Sequence, residues 1–277
     1  MPSFPHDGIQ FHYRDSHPGE NGGGLTPFIF QHGLGADVQQ TFDLFAPPPG
    51  FRLLAFDCRA HGETRPVGPE EKISVAQSAE DLGAFLDFLK MDSAIIGGIS
   101  MGAAIALHFA LTHPARVRGL VLSRPAWLDE SRAAQMQPFT ELAHCLREHG
   151  AVEGARRFQE SPAYQQVLKV SPDNAASLLA QFTQPRAEET AVKLARIPAH
   201  VPAHTRADWK RLTMPTLVLA NRRDAVHPFE FGETLAREIP GAAFAEIAPK
   251  SVSLPQHAAD VRRALGEFLV RNFGGPS

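Results

Sequence analysis

The sequence predicts an α/β fold, a mostly parallel sheet covered by helices and carrying a helical cap insertion, and three observations predict it. Apolar runs of strand length alternate with helix-length segments, the early runs end in loops rich in glycine, histidine or charge, and one long stretch loses every strand signal. Residues 26–30 (Thr-Pro-Phe-Ile-Phe) form the first core strand and end in Gln31-His32-Gly33-Leu34-Gly35, after a glycine run at Gly22-Gly23-Gly24 that reads as a flexible connection. Residues 51–56 form the next and end in Asp57-Cys58-Arg59-Ala60-His61-Gly62. Further runs at 93–97, 119–122, 215–219 and 242–247 are each separated from their neighbours by enough chain for a covering helix.

The covering helices carry their own periodicity. Leu82, Phe85, Leu86 and Leu89 fall on one stripe, as do Val261, Leu265, Phe268 and Leu269. The segment from Met101 to His113 is apolar nearly all round and rich in small residues, which suits a helix buried at the sheet centre and ended before Pro114. From Trp127 to about Thr205 only helical signals remain, at 141–146 ending near Gly150, 155–160, 175–182 and 187–197. The chain therefore divides into a first core part (1–128), a helical cap (129–205) and a second core part (206–277).

Composition narrows the function classes. At 277 residues, 43% hydrophobic and a formal net charge of −3, the chain can bury a large core and offers no basic face for nucleic acid. No apolar run reaches membrane-spanning length and the N-terminus lacks the pattern of a signal peptide, so the expectation is a cytoplasmic protein acting on a small molecule, without nucleic-acid or membrane partners. Cys58 and Cys145 are too few for a disulfide framework or a metal site and read as small hydrophobes; neither metal nor cofactor is expected. Oligomeric state is not legible.

The most informative motif is Gly98-Ile99-Ser100-Met101-Gly102, placed between the run at 93–97 and the central helix. A serine held there by flanking glycines sits on a tight strand-to-helix corner with its hydroxyl pushed out above the sheet. With the His32-Gly33-Leu34-Gly35 loop, the Asp57-x-Arg59-x-His61-Gly62 loop and the Asn221-Arg222-Arg223-Asp224 loop, in that order and spacing, the chain resembles the α/β-hydrolase fold family over nearly its whole length. The resemblance implies Ser100 as nucleophile, the backbone N–H groups of Leu34 and Met101 as an oxyanion hole, and Asp224 as the acid that orients a base. On that reading Asp224→Asn should lower activity far more than stability. His32 borders the substrate as a hydrogen-bonded scaffold residue; Arg59 and His61 bond Asp57 and neighbouring loops, and Arg222 and Arg223 are solvated charges.

The family's histidine after the last strand is missing. The stretch from Ile247 to His257 is short and has no glycine-histidine pair, so four groups compete as base: His257 through a rearranged loop, Lys250 if burial lowers its pKa, or His200 or His204 from the cap. Arg124, at the C-terminal end of a core strand, is placed either to hold a substrate carboxylate with Trp127 as an apolar wall or to tie core to cap. The expected activity is serine-dependent hydrolysis of an ester, lactone or activated carbon–carbon bond in a small organic acid. The alternative is a non-hydrolytic member of the fold, a lyase-like catalyst or a ligand-binding protein.

Overall fold

The computed structural model describes residues 2–19, 24–130, 134–199, 201 and 204–274. Eight strands form one sheet: β1 (Ser3–His6), β2 (Ile9–Asp15), β3 (Thr26–Gln31), β4 (Phe51–Phe56), β5 (Ala94–Ile99), β6 (Val117–Ser123), β7 (Thr216–Ala220) and β8 (Ala243–Glu246). Their spatial order is β1-β2-β4-β3-β5-β6-β7-β8. β1 pairs antiparallel with β2 and β2 with β4, while every pairing from β4 to β8 is parallel. The parallel core matches the expectation. The β1–β2 hairpin does not come from it: each of its short strands alternates apolar with polar residues and contributes only a few apolar side chains to the core.

The helices are α1 (Val38–Leu44), α2 (Val75–Phe88), α3 (Met101–Thr112), α4 (Gln137–Glu160), α5 (Pro162–Val170), α6 (Pro172–Leu179), α7 (Ala187–Thr190), α8 (Val192–Ala199), α9 (Arg206–Trp209), α10 (Phe229–Glu238) and α11 (Leu254–Phe273). They cover both faces of the sheet because successive strand residues point to opposite sides. In β3, Ile29 joins Leu54, Ile96 and Leu120 in the cluster that α2 and α3 cover with Leu82, Phe85, Ile105 and Phe109. Its neighbours Phe28 and Phe30 join Leu53, Ile95 and Val121 in a second cluster, closed by Val261, Leu265, Phe268 and Leu269 of α11. Both predicted stripes thus pack where their spacing puts them. Ser74 and Ser253 cap the two helices, accepting from the backbone N–H of Gln77 and Gln256.

Between β6 and β7 the chain is helical, from α4 to α9. The break expected near Gly150 is present as a residue at φ 70°, ψ −177° within α4, and the chain resumes a helix beyond it. α5 was not anticipated, although Ser161 accepting from Tyr164 N–H and Pro162 in the first turn mark its start; only Tyr164 and Val167 are buried along it, too few to show a period. Cys58 and Cys145 are buried free thiols.

Candidate active site

β5 runs into α3 through Ser100, which adopts φ 55°, ψ −108°, a conformation a non-glycine residue holds at a cost of about 1–3 kcal/mol. Its neighbours impose it. A Cβ on Gly98 would lie 2.4 Å from the Gly102 carbonyl carbon, and one on Gly102 would lie 2.3 Å from the Gln31 carbonyl oxygen, so strand, helix and the β3 loop meet backbone to backbone. The Ser100 N–H donates to Ser123 O at 2.9 Å, which locks the corner to the end of β6.

Two backbone N–H groups adjoin this corner, one in α3 and one in the loop whose Gly33 lies against Ser100. Met101 is the first residue of α3, so its N–H has no helical acceptor. Leu34 follows β3 in a loop held by Gly33 N–H donating to Gln40 Oε1 at 2.8 Å and by Ala36 N–H donating to Gly33 O at 3.1 Å. Among the described residues no protein group accepts from the N–H of either Leu34 or Met101.

His32 lies beneath this loop and does not line the cleft. Its Nδ1–H donates to Gly33 O at 2.9 Å and its Nε2 accepts from Cys58 N–H at 3.1 Å, so the ring is scaffold and its expected border on the substrate is withdrawn. His61 Nε2 accepts from Gly35 N–H at 3.2 Å and supports the same loop. Asp57 is bonded by His12 and by the N–H groups of Val38 and Glu63. Arg59 pairs with Asp81 at 2.7 Å through two nitrogens, not with Asp57 as expected. Arg222 reaches Glu246 at 3.0 Å across an exposed edge.

Asp224, after β7, is buried and heavily bonded. Its Oδ2 accepts from Arg124 Nη2 at 2.6 Å and Nε at 3.0 Å; its Oδ1 accepts from Asn174 Nδ2 at 2.6 Å and stands 2.9 Å from His227 Nδ1. Burial pushes its carboxyl up, but the Arg124 and His227 charges and the hydrogen bonds hold it well below the usual carboxylate range. Arg124 is therefore held to Asp224 through Nε and Nη2. Its Nη2 also points at Asn174 Oδ1 of α6 at 3.4 Å, so the guanidinium ties core to the helical segment, while its Nη1 has no partner among the described residues and Arg124 lines the cavity at Ser100. Trp127 is packed inside the core cluster and lines neither pocket near Ser100, so it is no substrate wall.

Ser100 opens on a small cavity of about 90 Å³, lined also by Leu34, Arg124, His227 and Lys250, with Phe139, Asn174 and Gln181 from the helical segment. Of the three described groups expected as base, Lys250 alone is placed there. Burial, then the Arg124 charge, lowers its ammonium to about 8, and it makes no hydrogen bond or ion pair with another described residue. His257 lines an adjoining pocket of about 390 Å³ that Ser100 does not reach; its Nδ1–H donates to Ala248 O at 2.8 Å, and burial lowers its pKa to about 4. His257 sits on the first turn of α11, turned toward the chain just past β8. His204 pairs with His108 of α3 at 2.9 Å and does not line the cavity at Ser100, and His200 lies outside the described residues.

His227 had no role in the sequence reading. The signal was present, a histidine three residues after a strand-end aspartate, a spacing that folds its ring back onto the carboxylate. Among the described residues no group of three or more His, Cys, Asp or Glu is placed to hold a metal ion, and no helix is long and apolar enough to cross a membrane.

The sequence profile described as alpha/beta hydrolase fold matches residues 26–250. The chain belongs to the α/β hydrolase fold family. Among curated relatives, the 3-oxoadipate enol-lactonase 2 of Acinetobacter baylyi is 26% identical, with 76% of each chain covered, and the AB hydrolase superfamily protein YisY of Bacillus subtilis is 27% identical, with 77% of this chain and 80% of that one covered. A further B. subtilis relative is 32% identical over 116 residues, and there this α/β hydrolase spans 41% of the relative's length. Among solved structures, the enol-lactonase from Burkholderia xenovorans LB400 superposes with a TM-score of 0.74 at 24% identity, covering 97% of this chain and all of that one. MenH from S. aureus gives 0.70 at 19%, covering 95% and 98%. These likenesses carry the fold of this α/β hydrolase.

Proposed function

We propose that this α/β hydrolase cleaves an ester or lactone of a small organic acid through Ser100. The observation that carries the reading is the pairing of a strained Ser100, whose Oγ has no protein partner among the described residues, with two unclaimed N–H donors at Leu34 and Met101. Oγ attacks the carbonyl carbon, the carbonyl electron pair moves onto oxygen, and the two N–H groups hold the resulting anion, a contribution of about 3 kcal/mol per donor. Collapse expels the alcohol and leaves an acyl-serine for water to hydrolyse. The helices between β6 and β7 act as the cap, with Phe139 and Gln181 closing the cavity over the serine. Lys250, alongside the Nη1 of Arg124, is a cation available to a substrate carboxylate.

The likeness to an enol-lactonase over three quarters of both chains supports an ester or lactone as the bond broken. A second reading, ligand binding or lyase-like chemistry without a serine ester, is favoured by one observation: no described group makes a hydrogen bond to Ser100 Oγ, and the acid expected to serve a base is paired with Arg124. A fluorophosphonate separates the two. Stoichiometric labelling at Ser100, lost in Ser100→Ala, is the expected result; an inert Ser100 establishes the second reading. Assay of lactones and 4-nitrophenyl esters with and without a carboxylate then ranks the substrates.

A further inference from the structure

We infer that His227 is the base that takes the Ser100 proton, so that acid and base lie on one turn of chain, Asp224-Ala225-Val226-His227, instead of on two loops. The inference rests on Ser100 being the nucleophile and supplies the group which that reading lacks. Ser100 and His227 line the same small cavity, of about 90 Å³.

The hydrogen bonds decide which nitrogen is free. His227 Nδ1 stands 2.9 Å from the Asp224 carboxylate oxygen; without a hydrogen between them two lone pairs would face each other inside the protein. Arg124 Nη2 lies 3.1 Å from the same nitrogen, but its hydrogens have oxygen acceptors in Asp224 Oδ2 at 2.6 Å and Asn174 Oδ1 at 3.4 Å. Nδ1 therefore carries the proton. Nε2 keeps its lone pair, has no partner among the described residues, and is not sealed among the buried polar atoms that lack one, so it meets the open space of the cavity it lines.

The charges facing the ring are Asp224 beside it, Arg124 across the carboxylate, and Lys250 over the cavity. Burial lowers the imidazole pKa, Asp224 opposes this, and Arg124 and Lys250 add to it, leaving the ring neutral at neutral pH and ready to accept a proton. None of the other described candidates meets these conditions, since His257 faces another pocket, His204 is paired with His108, and Lys250 holds its proton below about 8.

As the Ser100 Oγ–carbon bond forms, the Oγ proton passes to Nε2 and the carbonyl electron pair goes to the oxygen held by Leu34 and Met101. The imidazolium, steadied by Asp224, returns that proton to the leaving alkoxide as its bond to carbon breaks. Water repeats the sequence on the acyl-serine, and His227 ends neutral.

The test follows fluorophosphonate labelling of Ser100 by intact mass in the wild type, His227→Gln and His257→Gln. The expected result is a fall in the labelling rate of His227→Gln on the order of a hundredfold or more, with His257→Gln labelled as fast as the wild type. A labelled wild type with an unchanged His227→Gln rate overturns the inference and leaves Ser100 as nucleophile; a wild type inert at Ser100 overturns both. Should His227→Gln not fold, the wild-type labelling rate against pH still decides. A rise centred below the ordinary histidine value of about 6.5 supports His227, and a rise centred near 8 assigns the proton to Lys250 instead.

Discussion

Arg124 Nη2 lies 2.6 Å from Asp224 Oδ2, and both side chains are buried. The carboxylate that sequence reasoning reserved for a base is thus shared with a guanidinium, and the two charges cannot be altered independently.

Asp224→Asn should cost stability as well as activity, contrary to the expectation from sequence. It strands Arg124 as a buried cation, a loss of about 3–5 kcal/mol, whereas replacing both partners with apolar residues is far less damaging. Urea midpoints for Asp224→Asn, Arg124→Met and Arg124→Met/Asp224→Leu check this. The double variant should be more stable than the sum of single losses allows, and simple additivity would show that the pair is not coupled.

Lys250→Met should raise KM roughly tenfold for a substrate bearing a carboxylate and change it little for the methyl ester, because the lost contact is with the anion. In the wild type the same preference should fade as pH rises through about 8, where the ammonium gives up its charge. Steady-state kinetics on the matched pair of substrates decides it; equal effects on both would remove Lys250 from substrate binding.

His257 makes the fold sensitive to acid. Its pKa is about 4 when folded and about 6.5 in the open chain, so the unfolded state takes up the proton first. Its contribution is fully present above 6.5 and is lost as pH falls toward 4, amounting to about 1–3 kcal/mol. Melting temperatures between pH 7 and 4 should fall less steeply in His257→Gln. His108, also lowered to about 4 by burial and by the neighbouring His204, acts in the same direction and leaves a residual slope.

Gln40→Ala should lower kcat on the order of tenfold and leave KM nearly unchanged. Gln40 Oε1 fixes the Gly33 N–H at 2.8 Å, which sets the direction of the next N–H, that of Leu34. A kcat equal to wild type would mean that the loop holds its shape without this bond.

The sheet and the tight corner at Ser100 were legible because each rests on local chemistry. Residues 26–30, 51–56 and 93–97 are apolar on both faces, as buried parallel strands must be, and Gly98 and Gly102 stand where two backbones touch. The partners of the acid were not legible, because they depend on where side chains 50 and 100 positions away fall. Nothing local distinguishes an Arg124 that binds substrate from one that binds Asp224, or shows that Asn174 arrives beside them. His257 was overrated for the converse reason: sequence distance from the expected position says little when a capped helix start and the Ala248 carbonyl fix the ring elsewhere. His227 could have been found, since its partner is three residues away.

The strain at Ser100 resides in the backbone and is enforced by Gly98 and Gly102, not by the hydroxyl. Removing the hydroxyl therefore leaves the corner, the two N–H donors and the cavity as they are. Ser100→Ala should behave as a trap that holds intact the compound the wild type destroys, and mass spectrometry of what it retains from a mixture of small acids would name the natural substrate.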